Sequence, residues 1–434
     1  MTLVDGAREV LDALSRAGHG EVEVFVKQGR SRRFEIGPQG VVSVASRESG
    51  WAVRAGSEKG SFFFAAAGEP DPDTAWPQLG RTPLSLPAAR PVPTWRAPVD
   101  LDAPLAAEGE ARAFLEGVER ELVRELSGAR LLRGVLEDGS SEIGITNSRD
   151  VRTGYRNRAA AIHLEAAGPW PGVPATALYL AEREARRFAP AALARRLATR
   201  LLLGREGKSP GRDRGEMLLA PAVAIRLLAG LLPLVLGTDG VRRARELQDR
   251  TGRIARSNVT LIDDGRLRGG VLEAPVDGEG SPTRALAVIE EGRYRQPLVT
   301  WRTAPREGLR ATGCVRRPGW RDLPAPAPSH LFLQPMSRDG VAALVAGVTR
   351  GFYLVEPTGA GRFDLDEGRF SLPVCGFSIR DGRAESPIAM TRLHGTYRAF
   401  LQGIQTSARD LAFQPLAGMI GSPTLLVGGL ELRD

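Results

Sequence analysis

The longest apolar run in the 434-residue chain, Met217 to Gly237 (MLLAPAVAIRLLAGLLPLVLG), must leave water somewhere, and this constrains the fold more than any other feature. It is long enough to cross a bilayer. Arg226 near its centre, however, costs about 2.5–3.5 kcal/mol on insertion scales, and Pro221 and Pro233 break it further. A buried segment of a soluble domain is therefore expected, with no membrane contact. The rest of the chain agrees: 42% of residues are hydrophobic and 25% charged, a balance that can bury a core and excludes collagen-like or disordered classes. The opening residues MTLVDGAREVLDAL carry no basic n-region, so no secretory signal is expected. With only Cys314 and Cys375, no disulfide framework or Cys-rich zinc module is available, and a reduced, cytoplasmic setting follows as the expectation.

Periodicity divides the chain into α and β stretches without βαβ alternation, which predicts an α+β fold. Leu3, Ala7, Val10, Leu11 and Leu14 share one face of a helix over 3–17. A strand at 21–27 and apolar runs at 32–37, 40–46, 50–56 and 60–67, separated by turn clusters, predict an antiparallel meander. Residues 68–104 are too rich in proline for a regular element. Helical spacing returns at 105–127 and again at about 190–203, with strand-like runs near 130–136, 141–147, 153–166 and 175–182 between them. Gly204 to Gly215 (GREGKSPGRDRG) marks the clearest boundary. Beyond it the chain reads as β-rich, with candidate strands at 257–263, 285–290, 297–301, 330–334, 350–355, 370–379 and 422–428 and a helical stretch near 396–409. Three regions follow: 1–96, a helix, meander and Pro-rich connector; 97–204, a central α+β region; and 215–434, a β-rich C-terminal domain.

Motifs for familiar chemistry are mostly missing. No two of His19, His163, His330 and His394 lie within five positions, so no helix can offer paired imidazoles. GREGKS at 204–209 has Leu202 where a P-loop needs its first glycine, and Pro210 follows where a helix should start. GAGRFD at 359–364 lacks the third glycine of a dinucleotide fingerprint, and there is no G-x-S-x-G elbow. Residues 183–214 carry nine arginines and Lys208 against three acids, and 241–256 add six arginines against two. Only three of the chain's 59 basic residues are lysine, so this excess reads as arginine-rich composition on solvated helix faces, without the aromatic interleaving of a single-strand binder. Nucleic acid is not expected as a partner. Residues 261–294 (LIDDGRLRGGVLEAPVDGEGSPTRALAVIEEGRY) predict strand, glycine-rich loop, strand and hairpin. Within it Asp277 and Glu279 can bind a metal or peptide amine, or simply form the turn.

At these residues the sequence resembles the TldD/PmbA family. The resemblance lies in an ordered set: 21–56, ITNSRD at 145–150, the D-x-E-G-x-P-T stretch with its following hairpin, 347–388, and SPTLLVGGLEL at 422–432. It implies an α+β N-terminal half, a β-rich C-terminal half and a dimer enclosing a cavity. TldD-type members are zinc metallopeptidases with an H-E-x-x-x-H helix before the D-x-E-G segment and a cysteine ligand near the C-terminus. Here that helix should fall within Leu218 to Arg245, which holds neither histidine nor glutamate, and the third-ligand segment near Leu416–Ala417–Gly418 has no cysteine.

The resemblance therefore points to the PmbA/TldE side of the family: a non-catalytic subunit with no catalytic residue, metal or cofactor of its own. Zinc is expected in a TldD-type partner carrying H-E-x-x-x-H, and the shared substrates are expected to be unfolded or small peptides, ribosomal peptide precursors among them. Such a peptide can pair its backbone with an exposed strand edge. Asp277, Glu279 and His394 are the candidate peptide-binding or chamber-lining residues. The alternative is a stand-alone homodimer that binds peptide or nucleic acid without catalysis. A third reading is a new enzymatic site around His394, Thr396 and Tyr397.

Overall fold

A computed structural model describes residues 3–434 except 39, 58, 93 and 96–102. The boundary drawn at 96/97, part of the Pro-rich connector, and Met1 and Thr2 lie outside the described residues. Helix α1 (Leu3–Arg16) leads into β1 (Glu21–Gly37), β2 (Gly40–Ser57) and β3 (Gly60–Ala67). Helix α2 (Glu108–Glu125) follows, then β4 (Arg130–Asn147), β5 (Arg152–Ala167), β6 (Thr176–Glu182) and helix α3 (Pro190–Glu206). The six strands form one antiparallel sheet in the order β3-β2-β1-β4-β5-β6, so segments on either side of the connector share a sheet.

The meander is present, but its strands are longer than the apolar runs. Polar residues 28–33 and the Glu48–Gly50 stretch read as interruptions, yet β1 and β2 pair without a break from Glu21↔Gly56 to Gly37↔Gly40. Likewise Asp138–Gly139–Ser140 continues β4, paired on both sides. Ladder hydrogen bonds hold these strands together beyond the apolar core, where most side chains are polar and no apolar alternation is needed. Residues 40–48 of β2 are exposed, and β3 pairs only with residues 50–57, so among the described residues no strand pairs with their outer edge. Nearer the core, α1 buries Ala7, Val10 and Leu14 against Val22, Val24, Trp51 and Val53. Helices α2 and α3 bury Leu115, Val118, Leu122, Leu197 and Leu201 against Ile162 and Leu164. Each such leucine contributes about 1.5–3 kcal/mol relative to exposure.

The apolar run from Met217 resolves into three short elements. Strand β7 (Glu216–Leu219) is followed by helices α4 (Pro221–Gly230) and α5 (Leu232–Val235). Both prolines stand at helix starts, where the missing N–H costs nothing. Among the described residues no helix is long and apolar enough to cross a membrane. Helix α6 (Asp239–Leu247) comes next, then β8 (Leu261–Asp264), β9 (Ala285–Glu290), β10 (Arg293–Tyr294), β11 (Val315–Arg316), β12 (Ala325–Pro326), β13 (His330–Leu333) and α7 (Val341–Ala346). The chain continues through β14 (Arg350–Pro357), β15 (Arg362–Asp364), β16 (Arg369–Arg380), β17 (Arg383–Thr396) and α8 (Tyr397–Gly403). It closes with β18 (Ile404–Ser407), β19 (Ala412–Leu416), β20 (Gly418–Ser422), β21 (Leu425–Val427) and β22 (Glu431–Arg433).

Two sheets enclose the C-terminal core: β10-β9-β8-β13-β20-β19, and β18-β21-β7-β14-β16-β17-β22 with β15 beside β16. Strand β7 runs parallel to β14 inside the second, which is why Met217, Leu218 and Leu219 are apolar in succession and all buried. Several sequence expectations need correction. Strand 257–263 is confined to β8, and 297–301 forms no strand because Leu298 instead makes a single bridge to Leu236. The helix expected near 396–409 stops at Gly403, where the chain turns to pair β18 with β21. In the glycine-rich boundary, α3 runs on to Glu206, and Lys208 and Asp213 bridge Ile388 and Leu432.

Candidate functional site

Three places bear on function, and the first is α4, where the family resemblance puts zinc ligands. Zinc needs His, Cys or carboxylate donors. Helix α4 instead buries Ala222, Val223, Ala224, Ile225, Leu227 and Leu228, and packs against β14, β19 and β20. Strands β19 and β20 bracket Leu416–Ala417–Gly418, so the two ligand-bearing segments of the resemblance are neighbours here and neither offers a donor. The residues present do not fit zinc. Among the described residues no group of three or more His, Cys, Asp and Glu could hold a metal ion.

The second place is the loop between β8 and β9. Asp277 accepts N–H bonds from Glu279 and Ser281 at 2.9 Å through Oδ1, and from Val315 at 3.3 Å through Oδ2. Burial and the neighbouring Glu279 carboxylate push it up to about 7, against the pull of those three donors. Gly280 has φ +78°, and a Cβ there would lie 2.6 Å from Val151 of the N-terminal region. A glycine is required by both conformation and space.

Glu279 reaches across the same join. Its Oε1 accepts from Arg54 Nη1 at 3.2 Å and its Oε2 from the Trp301 N–H at 3.0 Å. Arg54 also forks onto fully buried Glu23, at 2.9 Å and 2.6 Å. Arg317 closes the network by bonding Glu23 and donating to the Gly278 carbonyl at 2.9 Å. Burial pushes Glu23 up, but Arg317 and Arg54 outweigh it and hold the carboxyl below its ordinary range. Arg183, fully buried, ties β6 to the loop through the Gly270 and Glu273 carbonyls at 2.6 and 2.9 Å. His330 is held similarly: Nδ1 lies 2.9 Å from the Asp264 carbonyl, and Nε2 lies 3.2 Å from the Leu272 nitrogen. Burial lowers its pKa to about 4, so the ring is neutral at pH 7, donating from Nδ1 and accepting at Nε2.

The third place surrounds His394. A cavity of about 810 Å³ opens over β15, β16, β17 and β22. Register sets its floor: Ser371 stands opposite both Arg362 and His394, and Arg369 opposite both Asp364 and Thr396. Ser371 Oγ accepts from Arg392 Nε at 2.7 Å and lies 3.4 Å from His394 Nε2. Burial and the Arg433 and Arg392 charges lower the His394 pKa, leaving the ring neutral at pH 7. Glu431, its register partner on β22, is engaged by Arg212, Arg214 and Arg433. Among the described residues no carboxylate hydrogen-bonds the ring, so Ser371 and His394 lack the third member of a triad. Tyr397 is fully buried in the core against Phe370 and does not line this cavity.

The structure thus brings Asp277 and Glu279 together in one turn and places His394 in a separate cavity. Residues 212–433, just over half of the chain, match the family model of the PmbA/TldA metallopeptidase C-terminal domain. The chain belongs to the PmbA/TldD family. The crystal structure of TldE from Thermococcus kodakarensis shares its fold, with a TM-score of 0.85 over 99% of this chain and 100% of that one, at 17% identity. A metalloprotease TldD homologue from Buchnera aphidicola subsp. Schizaphis graminum is 26% identical over 170 residues, 39% of this chain and 35% of its own. Metalloprotease PmbA of Escherichia coli O157:H7 is 24% identical over 200 residues, 46% of this chain and 42% of its own. The aligned stretches therefore span well under half the length of these PmbA/TldD relatives.

Sequence reasoning missed Glu23, Arg54, Arg183 and Arg317, whose pairings cross large sequence separations. It also missed Arg362 and Arg369; a two-residue alternation could have put Arg369 on the face of Ser371, but Arg362 and His394 join that face only through strand register.

Proposed function

We propose that this chain is the non-catalytic, TldE/PmbA-like subunit of a heteromeric zinc peptidase acting on unfolded or small peptides. One observation carries the reading: the helix where the family resemblance places zinc ligands is packed apolar core, and the neighbouring Leu416–Gly418 segment offers no replacement. Peptide-bond hydrolysis of the family type needs a metal-bound water of lowered pKa, and in this account the partner supplies it. This chain's share is to complete the chamber and hold peptide. The unpaired edge of β2 at residues 40–48, with Val41, Val42 and Val44 exposed, supports a backbone-pairing role, because free N–H and C=O groups accept an added strand.

The test is a peptidase assay on the purified chain with unfolded protein and short peptides, with zinc added or chelated. No hydrolysis under either condition is expected, and zinc-dependent turnover by the chain alone would contradict the proposal.

A further inference from the structure

Two charges on the rim of the His394 cavity are unspent, and both stand beside the same hydroxyl. Arg362 and Arg369 are exposed on its rim and make no ion pair or side-chain hydrogen bond among the described residues. Both flank Ser371, Arg362 across the β15–β16 pair and Arg369 two positions along the same strand. Leu430 and Ala399 add an apolar wall. A volume of about 810 Å³ falls within the range of small-ligand pockets. Paired guanidiniums beside a hydroxyl suit a planar oxyanion, which they can grip through two parallel N–H bonds. Glu367 on the same rim carries an opposite charge without a side-chain partner among the described residues, which disfavours a polyanion and suits a ligand with both signs.

We infer that this cavity binds the C-terminal carboxylate of a short peptide, with Arg362 and Arg369 as the carboxylate clamp. The inference rests on the peptide-holding role proposed above and adds to the β2 edge a second contact, with a chemical handle for the peptide's C-terminus. Ser371 is already turned toward His394 and Arg392, so it orients the floor of the clamp.

Isothermal titration of the full-length chain tests it, with tetra-alanine, tetra-alanine amide and inorganic phosphate as probes. The free acid should bind, the amide about tenfold more weakly or worse, and phosphate should not displace the acid. The Arg362→Ala/Arg369→Ala double variant should weaken the free acid by at least about tenfold with an unchanged unfolding midpoint, since both side chains are exposed. Equal binding of acid and amide, undiminished binding by the double variant, phosphate binding without peptide, or no peptide binding at millimolar concentration would each overturn the inference. The titration uses no peptidase partner. Its failure therefore leaves the subunit role standing, and failure to pair with a partner leaves the titration result untouched.

Discussion

The join between the two halves and the cavity over β15–β17 are both rich in arginine and carboxylate, yet they use charge in opposite ways. At the join, Glu23, Arg54, Glu279 and Arg317 are buried and bonded to one another or to backbone. At the cavity, Glu431 is saturated by arginines while Arg362 and Arg369 face open space. Charge density alone does not make a binding site: a paired, desolvated group is structural, and a group left without a partner is available to a ligand. The residues that drew notice in the sequence, Asp277 and Glu279, belong to the first kind. His394 sits within the second.

Substitutions should separate the two regions, beginning with the largest effect. Arg317→Ala leaves fully buried Glu23 short of one of its two cations, and should cost about 3–5 kcal/mol in urea unfolding. A cost as small as that of a surface change would break the contrast. Leu227→Ala in α4 opens a cavity where the family metal helix would be, and about 2–5 kcal/mol of stability should go with it. A negligible loss would mean that this helix is not packed as described.

Asp277→Asn should cost less, about 1–3 kcal/mol, because the amide keeps an acceptor for Glu279 and Ser281 but turns a donor toward the Val315 N–H. Its pH signature is more specific. Asp277 has its folded pKa raised from 3.8 to about 7, so between those values the folded chain holds a proton that the unfolded chain has released. Stability contributed by this group is present at low pH and falls as pH rises through that window. His330 acts in the opposite sense: its pKa is lowered from 6.5 to about 4, so stability rises with pH between them. Removing Asp277 should therefore make the slope of unfolding free energy against pH more positive, by up to about 1.4 kcal/mol per pH unit. An unchanged slope would show that the carboxyl titrates normally. Smallest of all, Arg362→Ala should shift stability by no more than about 0.5 kcal/mol while weakening peptide binding. Loss of both together would assign that arginine to the scaffold.

Much of the fold could be read from the sequence because local patterns dictate it. Helices α1, α2 and α3 follow apolar periodicity to within a few residues, and the hairpin of β9 and β10 follows the E-G turn, with Glu291 and Gly292 both at positive φ. Strand length was not legible, because polar residues 28–33 are held by pairing on both sides rather than by their own pattern. Nor was the join: Glu23 and Arg317 are 294 positions apart, and nothing local marks either as buried. The cavity lay in between. Alternation in RFSL at 369–372 implies that Arg369 and Ser371 share a face, but only the β15–β16 and β16–β17 registers bring Arg362 and His394 beside them.

The central claim is that this chain completes a peptidase whose metal lies in another subunit. Its most direct test is the native mass, zinc content and activity obtained when the chain is coexpressed with a TldD-type protein bearing H-E-x-x-x-H from the same genome. The account predicts an equimolar complex, zinc carried by the partner, and peptide hydrolysis by the pair but not by this chain. A species at twice the 46.6 kDa chain mass that ignores the partner, or zinc and activity in the isolated chain, would contradict it.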